Sequence, residues 1–253
     1  MKVTIVCVTY LKENDKYLRL ALESVKNQIF DDYELILVSS GDHVPQDIPK
    51  WVKHLHHKER HHYPEAVNSG FKLADPSSQY FFMMNDDVIL TKNSLKNLVM
   101  TAGENDILLN PISNCDNGSK YSLVMGHQKH SEFNRLTQRF YRYDDLKDSF
   151  ESLMSSDSIY PWGLILQDFI CFYATLIPRK TWDKLGGLDP QFKTGQDDVD
   201  LSFRAKQMGI PAAFVLNSLI WHFGGATADL ALTDEIRKSN IEYFSKKWGM
   251  LPP

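Results

Sequence analysis

Three short apolar runs, each closing on polar residues and separated by stretches of helical period, constrain this chain more than any other feature. Val3–Val8 is a β-branched run, and Tyr17–Asn27 after it places Leu18, Leu22 and Val25 at helical spacing. Tyr33–Val38 is the second run and Tyr80–Met84 the third, with a short helical pattern over Ala66–Ala74 between them. Strands that alternate with helices predict right-handed crossovers in a mainly parallel sheet, an α/β fold. Further on, Phe169–Ile177 and Ala212–Trp221 have strand character, and Val199–Met208 has helical character and stops at Gly209. A last helix is expected from about Thr233, whose hydroxyl can cap it, to Trp248. From Cys115 to about Gly163 the pattern weakens, apart from an amphipathic stretch carrying Leu146, Phe150 and Leu153; an insertion facing substrate is expected there.

A chain of 253 residues fits one α/β domain with an elaborated loop or tail. Its net charge of -4 disfavours a protein built to grip a phosphate backbone, so nucleic acid is not an expected partner. Cys7, Cys115 and Cys171 are odd in number and widely spaced, the pattern of buried thiols in a reducing compartment. The opening apolar run is too short for a signal peptide, and no run approaches the ~18 apolar residues of a membrane span. A cytoplasmic protein is expected. Peripheral membrane contact is left open by Lys246-Lys247-Trp248, although two lysines are few for an anionic surface.

In an open parallel sheet ligands bind beyond the carboxyl ends of the strands, so the last residue of each run matters most. The first run ends at Thr9-Tyr10, the second at Ser39-Ser40-Gly41-Asp42 and the third at Asn85-Asp86-Asp87. Neither glycine-rich phosphate loop, GxGxxG or GxxxxGK[ST], is available to these strand ends. A hard divalent cation held by one or two carboxylates would supply the missing charge, and Asn85-Asp86-Asp87 is a suitable place. The alternative is a solvated turn that caps the helix beginning near Thr91. Position favours the cation: adjacent carboxylates at the end of Phe81-Phe82-Met83-Met84 would repel each other at a buried edge without one.

A second acidic cluster, Asp197-Asp198-Val199-Asp200, follows Gly195-Gln196 and opens a helix. One aspartate suffices as a cap, for about 1 kcal/mol. The same amino-terminal field keeps a carboxylate ionised, which suits a general base, so capping and catalysis can coexist. Trp221-His222-Phe223-Gly224-Gly225 brings an imidazole able to bind a divalent metal, beside glycines that let backbone pass close to a ligand. A histidine in an aromatic setting is more often structural. The dense histidines His54, His56, His57, His61 and His62 match no zinc spacing and are expected as surface residues between elements.

Taken together these residues resemble the family 2 inverting glycosyltransferases of the GT-A fold, in particular their rhamnosyltransferase-like branch. The likeness runs from about Lys2 to Trp248. It is carried by Val6-Cys7-Val8-Thr9-Tyr10, Leu20-Ala21-Leu22-Glu23-Ser24-Val25 with Gln28, and Asn68-Ser69-Gly70. Asn85-Asp86-Asp87-Val88 matches the DxD position in an Asn-x-Asp variant. Most specific are Gly186-Gly187-Leu188-Asp189 with Phe192, then Asp197-Asp198-Val199-Asp200-Leu201 with Arg204-Ala205, then His222 with Gly224-Gly225.

The resemblance implies a catalytic domain over residues 1–228, with a nucleotide-sugar half to about 110 and an acceptor and base half over 111–228. Residues 229–253 form a helical tail packed on it. It implies Asp87 and His222 as ligands of Mn or Mg, with Asp86 and Asn85 close by. Asp198 is implied as catalytic base with Asp197 beside it, and Thr9, Tyr10 and Asn68 at the nucleotide. Two departures stand out. The family's usual carboxylate after the second strand is replaced by Ser39 and Ser40, with Asp42 following, and Asn85 replaces the first acid of DxD. The implied partners are a nucleoside-diphosphate sugar and a glycan or lipid-linked glycan acceptor. Trp162, in Tyr160-Pro161-Trp162-Gly163, offers a face for a sugar or, equally, a packing contact. A sugar-phosphate nucleotidyltransferase would need a glycine-rich basic loop where Thr9-Tyr10-Leu11-Lys12-Glu13 stands. A catalytically silent carbohydrate-binding protein on the same fold is the other alternative.

Overall fold

The computed structural model describes residues 2–10, 15–42, 44–113, 162–223 and 233–253. The sheet starts from β1 (Val3–Thr9), whose seven residues are all buried, flanked by β2 (Tyr33–Ser40) and β4 (Tyr80–Asn85) in parallel. β3 (Val52–His57) extends it in parallel beyond β2. Successive residues of β1 and β2 point to opposite faces, and both faces are covered. Ile5, Leu35, Leu37 and Phe82 pack under α1 (Asp15–Lys26), whereas Val6, Val8, Ile36, Val38, Phe81 and Met83 pack under α2 (Tyr63–Phe71). Two covered faces explain why these strands are continuous apolar runs and not alternating ones. Gly70 sets how closely α2 approaches the sheet: a Cβ there would lie 2.7 Å and 2.8 Å from the two methyls of Val6.

Beyond β4 the sheet turns mixed. β8 (Ala174–Pro178) runs antiparallel to β4, and β6 (Leu108–Ser113) pairs with it in the opposite sense again. β9 (Ala212–His222) lies parallel to β6, so its carboxyl end reaches the same edge as those of β1 and β4. β5 (Val88–Leu90) and β7 (Leu164–Gln167) both pair antiparallel to β9. Asp86 and Asp87 alone separate β4 from β5, so the path β4-β8-β6-β9-β5 curls back on itself. α3 (Ser94–Ala102) covers its inner face with Leu95, Leu98 and Val99.

Three helices complete the described chain: α4 (Arg179–Leu185), α5 (Asp197–Gln207) and α6 (Asp234–Trp248). Thr233 caps α6 as expected, its hydroxyl accepting from the Ile236 amide at 3.3 Å. α6 is seated by Phe244, which is fully buried with Phe169, Phe192 and Val199.

Some expectations need correcting. The histidine-rich stretch is not a connection between elements, because Val52–His57 is the edge strand β3. Val52 and Leu55 anchor it to the core on opposite faces, its imidazoles find hydroxyl partners on β2 and α2, and polar residues suit an edge. The strand expected from Phe169 begins at Ala174; before it the chain is held by a residue far along the sequence, the Ile170 amide donating to Ser202 Oγ at 3.2 Å. α2 starts at Tyr63, earlier than Ala66, because Pro64 is tolerated in its first turn and Glu65 accepts from the His62 amide at 3.0 Å. Among the described residues no helix is long and apolar enough to cross a membrane. The expected insertion, with Leu146, Phe150 and Leu153, and Gly224-Gly225 lie outside the described residues.

Candidate functional site

The β4–β5 turn and the end of β9 build the first half of the site. Val88 is in register with His222, so the turn carries Asp87 directly onto the last residue of β9. His222 Nε2 lies 3.2 Å from Asp87 Oδ1, and the Phe223 amide donates to the Asp87 carbonyl at 3.1 Å. Asp86 and Asp87 are both 3% exposed and His222 6%. The Tyr173 ring lies against the imidazole, 5.4 Å between centroids, and the Tyr173 carbonyl accepts from the Asn85 amide at 3.0 Å. Among the described residues no three His, Cys, Asp or Glu side chains converge tightly enough to cage a metal. A carboxylate and an imidazole side by side still fit a two-donor site of the kind that a hydrated divalent cation completes with water and phosphate oxygens.

The second half is the start of α5. Asp197 Oδ1 accepts from the Gly195 amide at 2.8 Å, and Asp198 Oδ1 from the Val199 amide at 2.8 Å. Burial pushes the Asp197 carboxyl up to about 7, with the neighbouring Asp198 charge adding, while the Gly195 amide opposes. Burial likewise raises Asp198, to about 6, against the backbone amides that favour its ionised form. Asp200, one turn along, differs: fully buried, it takes Arg204 Nε at 2.9 Å, Trp248 Nε1 at 3.0 Å and Lys247 Nζ at 2.7 Å. It ties α5 to α6.

The loop feeding α5 is under backbone strain. Thr194, Gly195 and Gln196 have φ of 55°, 105° and 65°, and the two that are not glycine cost on the order of 1 kcal/mol each. The structure adds Tyr63 and Thr194 to the site, which sequence reading missed because neither lies in a cluster. Thr194 Oγ1 accepts from the Tyr63 amide at 3.4 Å and also bonds the Tyr10 side chain. Burial drives the Tyr10 phenol well up, with the charges of Asp86 and then Asp197 adding, so this ring senses both acidic clusters. Tyr63 is raised first by burial and then by Asp197, and its hydroxyl donates to the Phe172 carbonyl at 3.3 Å.

The remaining expected residues divide. Thr9 ends β1 fully buried, and its hydroxyl has no hydrogen-bond partner among the described residues. Ser39 Oγ lies 2.8 Å from His54 Nε2 and 2.9 Å from His56 Nδ1, and Ser40 Oγ accepts from the His61 amide at 3.1 Å. Both serines are nearly sealed, at 1% and 2% exposed, whereas Asp42, His54 and Arg60 are exposed and His56, His57, His61 and His62 are half-buried. Asn68 turns inward: Nδ2 donates to the Leu188 carbonyl at 2.8 Å and Oδ1 accepts from its amide at 3.0 Å. Gly187, at φ 77°, leaves room for that clasp, since a Cβ there would sit 2.8 Å from Asn68 Oδ1. Trp162 is not brought to the cluster. Preceding β7, it is level with Asn217, roughly 17 Å along β9 from His222 at ~3.3 Å per residue.

A curled α/β sheet with an acid–imidazole pair and a separate acidic helix start on one strand edge defines a GT-A fold, the nucleotide-diphospho-sugar transferase architecture. The chain belongs to glycosyl transferase family 2, whose family model matches residues 4–157. Solved structures agree on the fold. GalNAc-T7 with UDP, GalNAc and Mn2+ superposes with a TM-score of 0.63 at 14% identity, over 88% of this chain and 44% of that one. The mannosyltransferase PcManGT of Pyrobaculum calidifontis, in complex with GDP-Man and Mn2+, gives 0.60 at 16% identity, over 99% and 66%. TarS of S. aureus gives 0.61 at 13% identity, over 98% and 39%. This chain thus spans less than two thirds of the length of each of these relatives. No curated protein sequence matches it.

Proposed function

We propose that this chain transfers a glycosyl group from a nucleoside-diphosphate sugar to an acceptor hydroxyl, with inversion at the anomeric carbon. The observation that carries the proposal is the spatial division of labour on one edge. A buried acid–imidazole pair, Asp87 and His222, is built by the β4–β5 turn and β9, whereas the carboxylates of Asp197 and Asp198 stand at the start of α5, each accepting from a backbone amide.

Asp87 and His222 would hold Mn or Mg, with Asp86 and Asn85 beside them. Bound there, the cation supplies Lewis-acid neutralisation of the diphosphate. GalNAc-T7 and PcManGT were each solved with Mn2+ and with UDP or GDP-Man, which supports a donor of this class here. Asp198 accepts the proton of the acceptor hydroxyl while that oxygen forms its bond to the anomeric carbon. The bond from that carbon to the diphosphate oxygen breaks with its electron pair leaving on the diphosphate. Asp197, sharing the buried site, keeps the affinity of the pair for a proton high. Asn68, clasped to Leu188, supports the Gly186-Gly187 turn and acts on the donor indirectly. The acceptor class proposed is a glycan or lipid-linked glycan.

A thermal-shift panel of UDP-, GDP- and TDP-sugars with and without Mn tests this reading, followed by assay of the stabilising donor for nucleoside-diphosphate release with sugar acceptors. The TDP-deoxysugars test the rhamnosyltransferase-like resemblance. Manganese-dependent stabilisation by one donor class, with diphosphate release, is expected. Release of pyrophosphate from a nucleoside triphosphate and a sugar phosphate would overturn it.

A further inference from the structure

The segment Lys193–Gln196 delivers the chain to Asp197 and Asp198, and most of its grip comes from a helix more than forty residues later. Asn240 of α6 is 1% exposed. Its Oδ1 accepts from the Lys193 amide at 3.0 Å, and its Nδ2 lies 3.3, 3.1 and 3.0 Å from the carbonyls of Lys193, Thr194 and Gly195. Both N–H donors of the carboxamide are thus shared among three carbonyls of one loop, and its oxygen accepts from the same loop. That loop has three consecutive residues at positive φ, two of them not glycine, a conformation that persists only where the surroundings over-determine it. The next link is direct: the Gly195 amide, flanked by a carbonyl that Asn240 holds, donates to Asp197 Oδ1. Elsewhere α6 is locked to the same unit by Tyr243 and Lys247 on Asp189, at 2.8 and 2.7 Å, and by Trp248 on Asp200.

We propose that Asn240 is a positioning residue for the proton-accepting pair, and that α6 belongs to the working site and is not an appended tail. Asn240 touches neither acidic side chain; it acts by fixing the strained turn from which Asp197 and Asp198 project. The proposal rests on the reading of Asp198 as base.

The test uses the full chain and the donor found in the thermal-shift panel. Asn240→Ala leaves three carbonyls and one amide without their partner, and turnover per folded molecule should fall about 10- to 100-fold with the donor KM within twofold. Asn240→Ser, which keeps a hydroxyl of shorter reach, should lie between Ala and wild type, and it decides the matter if the alanine variant does not fold. In the double-mutant cycle with Asp198→Asn, removing Asn240 should cost little more once the base is gone. A lower melting temperature with unchanged kcat per folded molecule in both variants would reduce Asn240 to a structural role. So would a loss that multiplies fully with that of Asp198→Asn. If Asp198→Asn alone keeps wild-type turnover, the base assignment fails whatever Asn240 does, so the two failures are told apart.

Discussion

His222 Nε2 and Asp87 Oδ1 meet at 3.2 Å because β5 starts two residues after β4 and pairs, at Val88, with the last residue of β9. The geometry joins the turn after β4 to the end of β9, more than 130 residues later in the chain.

If this pair holds the cation, removing either member should abolish metal-dependent donor binding. Asp87→Ala is expected to eliminate the manganese-dependent part of the calorimetric signal, and His222→Ala to weaken manganese affinity at least tenfold. Donor affinity in Asp87→Ala that still rises with manganese as in wild type would refute the assignment.

Asp198→Asn should lower kcat by about 100- to 10,000-fold, the usual worth of a general base, while donor binding stays within a fewfold of wild type. The same substitution has a stability consequence with a definite sign. Burial raises the Asp198 carboxyl to about 6 from its ordinary 3.8, so the folded state holds the proton more tightly than the unfolded one. Its stabilising contribution is then complete below about pH 4 and is lost as pH rises through 6. At pH 8 the wild type carries this cost and the asparagine variant does not. Discounted for partial exposure, about 1–2 kcal/mol or roughly 3–5 °C in Tm is expected in favour of Asp198→Asn at pH 8. The gap should shrink at pH 5; a gap independent of pH would contradict the buried-carboxylate account.

Activity should follow the same group. A base that must be ionised gives kcat/KM that falls on the acid side with an apparent value near 6, the paired acids titrating together. A pH profile of kcat/KM flat from 5 to 8 would exclude Asp198 as the titrating base.

Asp200, two residues on, should respond with the opposite sign. It is fully buried and surrounded by Arg204, Lys247 and Trp248. Asp200→Ala strands buried donors and is expected to cost about 3 kcal/mol, read as a lower urea midpoint.

Gly70→Ala tests the closeness of α2 to the sheet. The added methyl meets Val6 at 2.7 Å and Val38 at 3.0 Å, so a loss of about 1–3 kcal/mol is expected. A Tm equal to that of wild type would show that α2 can retreat freely.

Local physics made much of this protein legible from its sequence. Runs of β-branched and large apolar residues name β1, β2 and β4, because a strand covered on both faces favours apolar side chains on both. Thr233 names the start of α6, and Asp197-Asp198 the start of α5, because orphan amides at a helix start recruit oxygen acceptors nearby in sequence. Asp86, Asp87 and His222 stand out as candidates because each lies at the end of an apolar run. What sequence could not supply was everything resting on a partner far along the chain. Polar β3 shows no apolar run because only Val52 and Leu55 reach the core, while its imidazoles bond hydroxyls on β2 and α2. The clasp of Asn68 on Leu188 has no local signal, and neither has the grip of Asn240 on Lys193, Thr194 and Gly195. Apolar period and capping are set within a few residues and are written in the sequence. The tertiary structure decided the pairing of Asp87 with His222, the sharing of Ser39 between two imidazoles and the restraint on the strained turn before Asp197, because a hydrogen bond needs its partner within about 3 Å and only folding brings distant residues that close.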